Sequence, residues 1–223
     1  MIRKYSTKIC GNVFPEDALM VASHGPDYMG WIFSHLSPRR IDLDLASRMI
    51  FRIRSEHPEI KHTALFAANS VPEIMKTIDF VKPDLIQITD GSGLIDSLRL
   101  ALRFWKSRSL PAIVPALRIK ENTDDRDLVR YGEAPFFILD SHVPGKAGGS
   151  GVRFDTALVS SVSRPFLLAG GLTCENVIEA LSGCRASGAD VSSGVEIKGR
   201  PGRKDPERVA EFIRLVRNHS HPE

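Results

Sequence analysis

The sequence predicts a (β/α)8 (TIM) barrel. Eight short apolar stretches of strand length alternate with segments of helical periodicity along the 223 residues, and this alternation is typical of parallel α/β folds. The length suits a barrel built as one unit. Near the C-terminus, two successive strands end in small residues, which is common after the last strands of such barrels. We therefore expect residues 1–223 to form a single (β/α)8 barrel domain whose last few residues are a polar tail.

The strands are predicted from apolar runs that end at turn-forming residues. Pro115 interrupts the fifth run, and proline is unusual in a central strand because it cannot donate to the ladder. The predicted strands span residues 7–11, 28–33, 63–67, 84–88, 112–117, 136–140, 165–169 and 189–191.

The helices are predicted from apolar residues at helical spacing and from start signals. Pro15 followed by Glu16 and Asp17 is one such signal, because proline suits the first turn and acids suit the positive end of the helix dipole. A glycine-rich loop over residues 145–151 follows the sixth strand. The predicted helices span residues 15–22, 42–57, 72–81, 94–105, 124–131, 175–181 and 206–217.

Composition and charge are those of an ordinary globular protein. Hydrophobic residues make up 42% of the chain and charged residues 26%, close to the average for soluble domains. The formal net charge is +3 and the basic residues are scattered, so we expect no nucleic-acid partner. A small anionic substrate is enough to account for a local positive bias.

The cysteines and the N-terminal residues indicate the cellular compartment of the protein. Cys10, Cys174 and Cys184 are odd in number and lack the spacing of a metal site, so we interpret them as reduced thiols. No apolar signal core follows Met1, and no apolar run reaches the length of a membrane span. We expect a cytoplasmic protein with no membrane partner.

The two turns near the C-terminus are candidate anion sites. Glycine permits positive φ and close approach of the backbone, and successive free N–H groups form a concavity that suits a phosphate. One such turn is common in α/β proteins, whereas two at βα spacing favour a phosphate site in the loops after strands seven and eight. The predicted phosphate-binding residues in these turns are Gly170, Gly171, Ser193 and Gly194.

Residues at the C-terminal ends of the strands should face the active site of such a barrel. This rule selects Cys10 at the end of the first strand, Asp140 at the end of the sixth, and Arg39 with Arg40 in the second loop. A thiol can act as a base if a positive charge, such as that of Lys8 or a bound substrate, lowers its pKa. The alternatives are that Cys10 is a small buried hydrophobe and that Asp140 caps the following loop.

Several ordered motifs resemble one family. They cover essentially the whole chain and include Lys8-Ile9-Cys10-Gly11, Gly30-Trp31-Ile32-Phe33, Ser37-Pro38-Arg39, Leu139-Asp140, Gly148-Gly149-Ser150-Gly151, Leu168-Ala169-Gly170-Gly171 and Asp190-Val191-Ser192-Ser193-Gly194-Val195-Glu196. In this order the motifs are similar to those of phosphoribosylanthranilate isomerases. The resemblance implies the isomerase step of tryptophan biosynthesis, an Amadori rearrangement of an aminoaldose phosphate to an aminoketose phosphate.

The resemblance also implies roles for particular residues. Cys10 corresponds to the general base that removes the C2′ proton, and Asp140 to the general acid that protonates the ring oxygen. Arg39 corresponds to the arginine that binds the anthranilate carboxylate. No metal or organic cofactor is implied. The implied phosphate-binding residues are Gly149, Ser150, Gly151, Gly170, Gly171, Ser193 and Gly194.

The chain departs from the family pattern in the middle of the barrel. Thr89 stands where many members have a histidine, Pro115 where a lysine is usual, and Thr156 where a tryptophan is common. The alternatives are therefore a related sugar-phosphate isomerase with a different aminoaldose, or an inactive barrel that binds a phosphorylated metabolite or a protein. Glu196 is interpreted as a structural or rim residue, and the protein as a monomer or a homodimer.

Overall fold

Eight parallel strands form a closed barrel in which each strand pairs with its neighbours in chain order and β8 pairs with β1. The computed structural model describes residues 5–89, 92–105, 110–140 and 155–219. The strands are β1 (Ser6–Ile9), β2 (Tyr28–Ile32), β3 (Lys61–Phe66), β4 (Leu85–Thr89), β5 (Ala112–Arg118), β6 (Phe137–Asp140), β7 (Phe166–Ala169) and β8 (Gly188–Val191). The predicted fold class is confirmed.

The helices lie where the sequence predicts them, with ends that differ by a few residues. The described α-helices are α1 (Pro15–Ser23), α2 (Leu43–Glu56), α3 (Val71–Val81), α4 (Ser92–Arg103), α5 (Asp125–Val129), α6 (Val177–Ser182) and α7 (Pro206–Asn218). Short 3-10 segments lie at Thr156–Val159 and Ser193–Val195. The predicted glycine-rich loop over residues 145–151 and the predicted polar tail beyond residue 219 lie outside the described residues.

Strand β5 runs through Pro115 without a break, in contrast to the interruption suggested by the sequence. Pro115 is in register with Ile88 of β4, and the pairing with β6 begins only at Ala116. The proline is therefore accommodated next to the start of one ladder, where its missing N–H is less costly than in the middle of two ladders.

Side chains cap several helices. Asp42 accepts a hydrogen bond from the Leu45 N–H at the start of α2, and Ser70 forms a capping box with Glu73 at the start of α3. Asp205 accepts from two N–H groups of the first turn of α7. Such caps satisfy donors that a helix leaves unpaired at its N-terminus.

The barrel interior has two unlike sides. On one side, β4 to β7 contribute an apolar cluster of Leu85, Val114, Ala116, Phe136, Ile138, Leu167 and Ala169. On the other side, where β1 meets β8, the interior holds the charged side chains of Lys8 and Asp190. A larger apolar core lies between the outer faces of the strands and the helices. Within the described ranges, no helix combines the length and the hydropathy that a bilayer span requires.

A buried histidine lies between strands and helices. The indole N–H of Trp31 donates to Nδ1 of His62 at 3.2 Å, and both side chains have no solvent exposure. Burial lowers the pKa of His62 to about 4, and the charge of Arg54 adds to this effect. His62 is therefore neutral in the folded protein at physiological pH.

We predict that His62 makes the fold sensitive to mild acid. The unfolded chain takes up a proton near the ordinary histidine pKa of about 6.5, whereas the folded chain does so only near 4. The contribution of His62 to stability is therefore present above pH ~6.5 and is lost as the pH falls toward 4, by about 3 kcal/mol. Urea unfolding between pH 4 and 7 measures this loss.

His62→Asn is the matched variant for this measurement, because it keeps an acceptor for the Trp31 N–H and cannot titrate. The free energy of unfolding of the variant should fall less steeply over the same pH range. An equal pH dependence of the two proteins would contradict the assignment.

Candidate active site

A cavity of about 580 Å³ opens at the C-terminal ends of the strands. It is the place where most of the described candidate residues come together, although they come from strands and loops far apart in the sequence. The candidates that line it are Cys10, Arg39, Asp140, Gly170, Gly171 and Ser193. Gly149, Ser150 and Gly151 lie outside the described residues. Arg40 is exposed and is not part of the lining.

Cys10 directly follows β1 and is almost fully buried. Its N–H donates to the carbonyl of Val191 on β8 at 2.8 Å, which fixes the backbone at this point. Its thiol packs against Gly30 of β2, where a Cβ atom would lie 2.6 Å from Sγ. A residue larger than glycine at position 30 would therefore displace the thiol.

Asp190 lines the cavity, and Lys8 lies buried beside it at the pairing of β1 with β8. Lys8 Nζ donates to Asp190 Oδ2 at 2.8 Å, and the lysine has no solvent exposure. Burial acts to lower the pKa of Lys8, but the charge and the hydrogen bond of Asp190 act against burial and the pKa is raised. Lys8 is therefore a buried cation beside the thiol.

The pKa of the Cys10 thiol is raised, not lowered as the sequence suggested it could be. Burial is the largest cause, and the charge of Asp190 adds to it, while the ammonium groups of Lys8 and Lys204 act in the opposite direction. The positive charge expected near the thiol is present, but burial outweighs its effect on the pKa. In the substrate-free protein Cys10 is therefore a protonated thiol and not a thiolate.

Asp140 ends β6 and is partly buried at the cavity wall. It is in register with Arg118 on β5 and with Ala169 on β7. Its carbonyl accepts a hydrogen bond from Ile119 N–H at 2.8 Å, which holds the strand end in place. β6 and β1 lie on different parts of the barrel ring, so Asp140 and Cys10 approach the cavity from different sides.

The two small-residue turns lie against each other. Gly170 and Gly171 both have positive φ, 91° and 63°, which is the conformation that favours glycine at such a turn. Gly194 packs on the backbone of the first turn, since a Cβ atom there would lie 1.9 Å from the Leu172 carbonyl oxygen. The side chain of Asn176 braces the first turn by donating to the Gly171 carbonyl at 3.0 Å. Gly170, Gly171 and Ser193 border the cavity, whereas Gly194 is buried and is not part of the lining.

Arg39 already holds a carboxylate of the protein. Its Nε donates to Glu196 Oε1 at 2.8 Å and its Nη2 donates to Glu196 Oε2 at 2.7 Å. Glu196 also receives Lys204 Nζ at 3.1 Å. Arg39, the residue expected to bind the substrate carboxylate, therefore already uses the Nε and Nη2 side of its guanidinium to bind Glu196. Glu196 contacts a candidate site residue directly and is more than a residue of the cavity rim.

Sequence reasoning assigned no part to several residues of this region. Asp190 could have been found from the alternation of β8, because it lies two residues before Ser192 and shares its inward face. Arg118 could have been found from the rule that selects strand ends, since it ends β5 and lines the cavity. Lys204 belongs to a run, Gly202 to Asp205, that also resembles the family, but no role could be predicted for it because its contacts lie across the fold.

Of the three departures from the family pattern, only Thr89 lines the cavity. Pro115 lies within β5 away from the lining. Thr156 packs near Gly183, at the C-terminus of α6. The change at Thr89 is therefore the one that directly alters the cavity wall.

A closed parallel barrel with glycine turns after its last two strands and polar side chains at its mouth is typical of barrel enzymes that act on small phosphorylated molecules. Comparison with known proteins narrows this class. A sequence model of the family described as N-(5'phosphoribosyl)anthranilate (PRA) isomerase matches residues 7–215. The chain therefore belongs to the N-(5'-phosphoribosyl)anthranilate isomerase family.

Individual relatives are similar to this chain over nearly their full length. The N-(5'-phosphoribosyl)anthranilate isomerase of Leptospira interrogans is 37% identical over 219 residues, which cover 98% of both chains. A structure of monomers generated from the dimeric phosphoribosylanthranilate isomerase of Thermotoga maritima is 27% identical, with a TM-score of 0.74 over 96% of this chain and all of that one.

A third relative was solved with a ligand. It is a phosphoribosyl anthranilate isomerase in complex with reduced 1-(o-carboxyphenylamino)-1-deoxyribulose 5-phosphate. It is 26% identical to this chain, with a TM-score of 0.73 over 96% of this chain and 100% of that one.

We predict that Lys8 tunes the Cys10 thiol. Lys8→Met removes the cation that lowers the pKa of the thiol and leaves the buried Asp190 charge without its partner, so the pKa should rise further. The rate of alkylation of Cys10 by iodoacetamide, followed by peptide mass spectrometry from pH 7 to 10, should fall about tenfold for each unit of that rise.

The double variant Lys8→Met/Asp190→Asn separates charge from folding, because it leaves no unpaired buried carboxylate. Its thiol should ionise more readily than that of Lys8→Met. Equal alkylation profiles for all three proteins would show that the ion pair does not influence the thiol.

Proposed function

We propose that this chain converts N-(5-phosphoribosyl)anthranilate to 1-(2-carboxyphenylamino)-1-deoxyribulose 5-phosphate, the isomerase step of tryptophan biosynthesis. Family membership over residues 7–215 supports the proposal. The observation that carries it is that Cys10 and Asp140 line one cavity with Arg39 and the glycine turns. This arrangement offers a base, an acid and two kinds of anion recognition within reach of one small substrate.

The chemistry assigns Asp140 the first proton transfer. Asp140 donates a proton to the ring oxygen while the bond from that oxygen to C1′ breaks, and the lone pair of the anilino nitrogen forms an iminium. Cys10 acts in the fraction of molecules in which its thiol has lost its proton to water. This thiolate removes the C2′ proton, and the released electron pair neutralises the iminium to give an enolamine. Tautomerisation of the enolamine yields the ketone. The acid and the base lie on different strands, which allows different environments for the two groups.

The substrate needs two anchors at opposite ends. The turns with Gly170, Gly171, Ser193 and Gly194 suit the phosphate because small residues let an anion approach the backbone closely. Arg39 suits the anthranilate carboxylate because a guanidinium forms charge-assisted forks with carboxylates. Gly149, Ser150 and Gly151 remain proposed phosphate contacts from the resemblance.

The wider setting is proposed on the same basis. The substrate supplies its own iminium as electron sink, so we propose that no metal or organic cofactor takes part. We further propose a single-domain enzyme of the cytoplasm, in keeping with three free thiols, that binds no nucleic acid. A monomer or a homodimer is proposed.

We expect Cys10→Ser and Asp140→Asn each to lower kcat by about 10²–10⁴, the usual loss when a positioned acid or base is removed. The measurement is the loss of anthranilate-type fluorescence after mixing with freshly generated phosphoribosylanthranilate. Cys174→Ser is the matched control, because Cys174 is a free thiol outside the cavity, and it should retain the parent rate.

Other outcomes of this assay point elsewhere. Binding of the substrate without turnover by the parent protein would indicate a different aminoaldose. The absence of binding would indicate an inactive barrel. Parent activity in Cys10→Ser would overturn the assignment of the base.

We expect Arg39→Ala mainly to raise KM, by about tenfold or more, because a hydrogen bond to a charged group is worth roughly 1.5–3 kcal/mol. The exposed neighbour Arg40 provides the control variant Arg40→Ala, for which KM should stay near the parent value. An unchanged KM in Arg39→Ala would contradict the role of Arg39.

A further inference from the structure

Lys204 connects three parts of the site that are distant in sequence. Its Nζ donates to the Cys10 carbonyl at 2.7 Å, to the Ser192 carbonyl at 3.1 Å and to Glu196 Oε1 at 3.1 Å. The lysine is buried, and three acceptors match the three N–H donors of an ammonium group. One side chain thus joins the end of β1, the turn after β8 and the carboxylate that holds Arg39.

Glu196 is ionised and fixed by this arrangement. Burial acts to raise its pKa, but the hydrogen bond from Arg39 and the charge of Lys204 outweigh burial and hold the pKa below the ordinary value of a glutamate. Arg39 and Lys204 therefore share one carboxylate, and the three side chains together carry one net positive charge. That charge is what remains to attract an anion at the cavity.

The guanidinium of Arg39 has a second pair of N–H donors besides the pair that binds Glu196. Glu196 takes Nε and one Nη2 hydrogen, and a guanidinium has five N–H donors in a planar fork. The side chain of Arg39 lines the cavity and is partly exposed. Within the part of the chain that the structure describes, no group occupies the edge formed by Nη1 and the other Nη2 hydrogen. This edge is a fork for a second carboxylate.

The stem of Arg39 passes over the turn after β1. Gly11 has a φ of +74°, and a Cβ atom there would lie 2.8 Å from Arg39 Cδ. The lack of a side chain at Gly11 allows the arginine to cross from the second loop toward Glu196. Backbone and carboxylate together determine the direction in which the free edge of the guanidinium points.

We propose that Glu196, held by Lys204, is a positioning residue that orients Arg39 for recognition of the substrate carboxylate. Glu196 touches no substrate atom in this role and acts through Arg39. The inference rests on the proposed function for the identity of the carboxylate. It predicts a loss that is confined to ligands bearing that group.

Glu196→Gln tests the proposal with little change in shape. The probe is reduced 1-(o-carboxyphenylamino)-1-deoxyribulose 5-phosphate, compared by calorimetry with the corresponding phenylamino compound that lacks the carboxylate. We expect the variant to bind the carboxylated probe about tenfold more weakly and the phenylamino probe as the parent does. In turnover, KM should rise while kcat stays within about threefold of the parent.

A double-mutant cycle with Arg39→Ala identifies the path of the effect. If Glu196 acts through Arg39, Glu196→Gln should not weaken binding of the carboxylated probe further when Arg39 is already alanine. Glu211→Gln is the matched control. Glu211 forms the same fork with Arg214 on the exposed face of α7, at 2.9 and 2.7 Å, and its loss should change neither probe.

Two results would overturn the proposal. One is an equal loss of affinity for both probes in Glu196→Gln, which would indicate a general structural role. The other is a full effect of Glu196→Gln in the Arg39→Ala background. Binding does not require turnover, so failure of the proposed function would appear separately as a parent protein that binds the probe but does not convert the substrate.

Discussion

The pairing of β1 with β8 is the constraint on which the site depends. This closure of the barrel places Lys8 beside Asp190, 182 positions later in the chain, and it fixes the Cys10 N–H on the Val191 carbonyl. Without closure, neither the thiol nor its charged neighbours would have a defined position. The geometry of the site is thus a property of the whole ring of strands.

Four charged side chains are buried at this site, namely Lys8, Asp190, Glu196 and Lys204. Lys8 pairs with Asp190, and Lys204 shares Glu196 with Arg39. Replacing such pairs by apolar residues is often neutral or stabilising, so stability alone does not account for them. Both ion pairs lie next to Cys10. Lys8 interacts with the Cys10 thiol, and Lys204 donates to the Cys10 backbone carbonyl. Their position indicates that these charges serve to hold a defined electric field at the cavity rather than to stabilise the fold.

Much of the fold was predictable from the sequence, because strand alternation and helical periodicity are local signals. The barrel rule also placed Cys10 and Asp140 correctly at the cavity, since strand ends follow from the strands. The partner of Arg39 was not predictable: Glu196 lies 157 residues away, and only folding joins them. The direction of the thiol pKa could not be predicted for a similar reason, because burial cannot be read from neighbours in sequence.

The burial of Cys10 has a consequence for the life of the protein between turnovers. Thiolates, not thiols, react with peroxide and with disulfides, and buried thiols of raised pKa are inert. Cys10, the proposed base, rests as a neutral thiol that is almost fully buried, and both properties slow its oxidation while no substrate is bound. Burial keeps the Cys10 thiol protonated. It would therefore limit the fraction of thiolate available for the proposed reaction and also protect the thiol from oxidation.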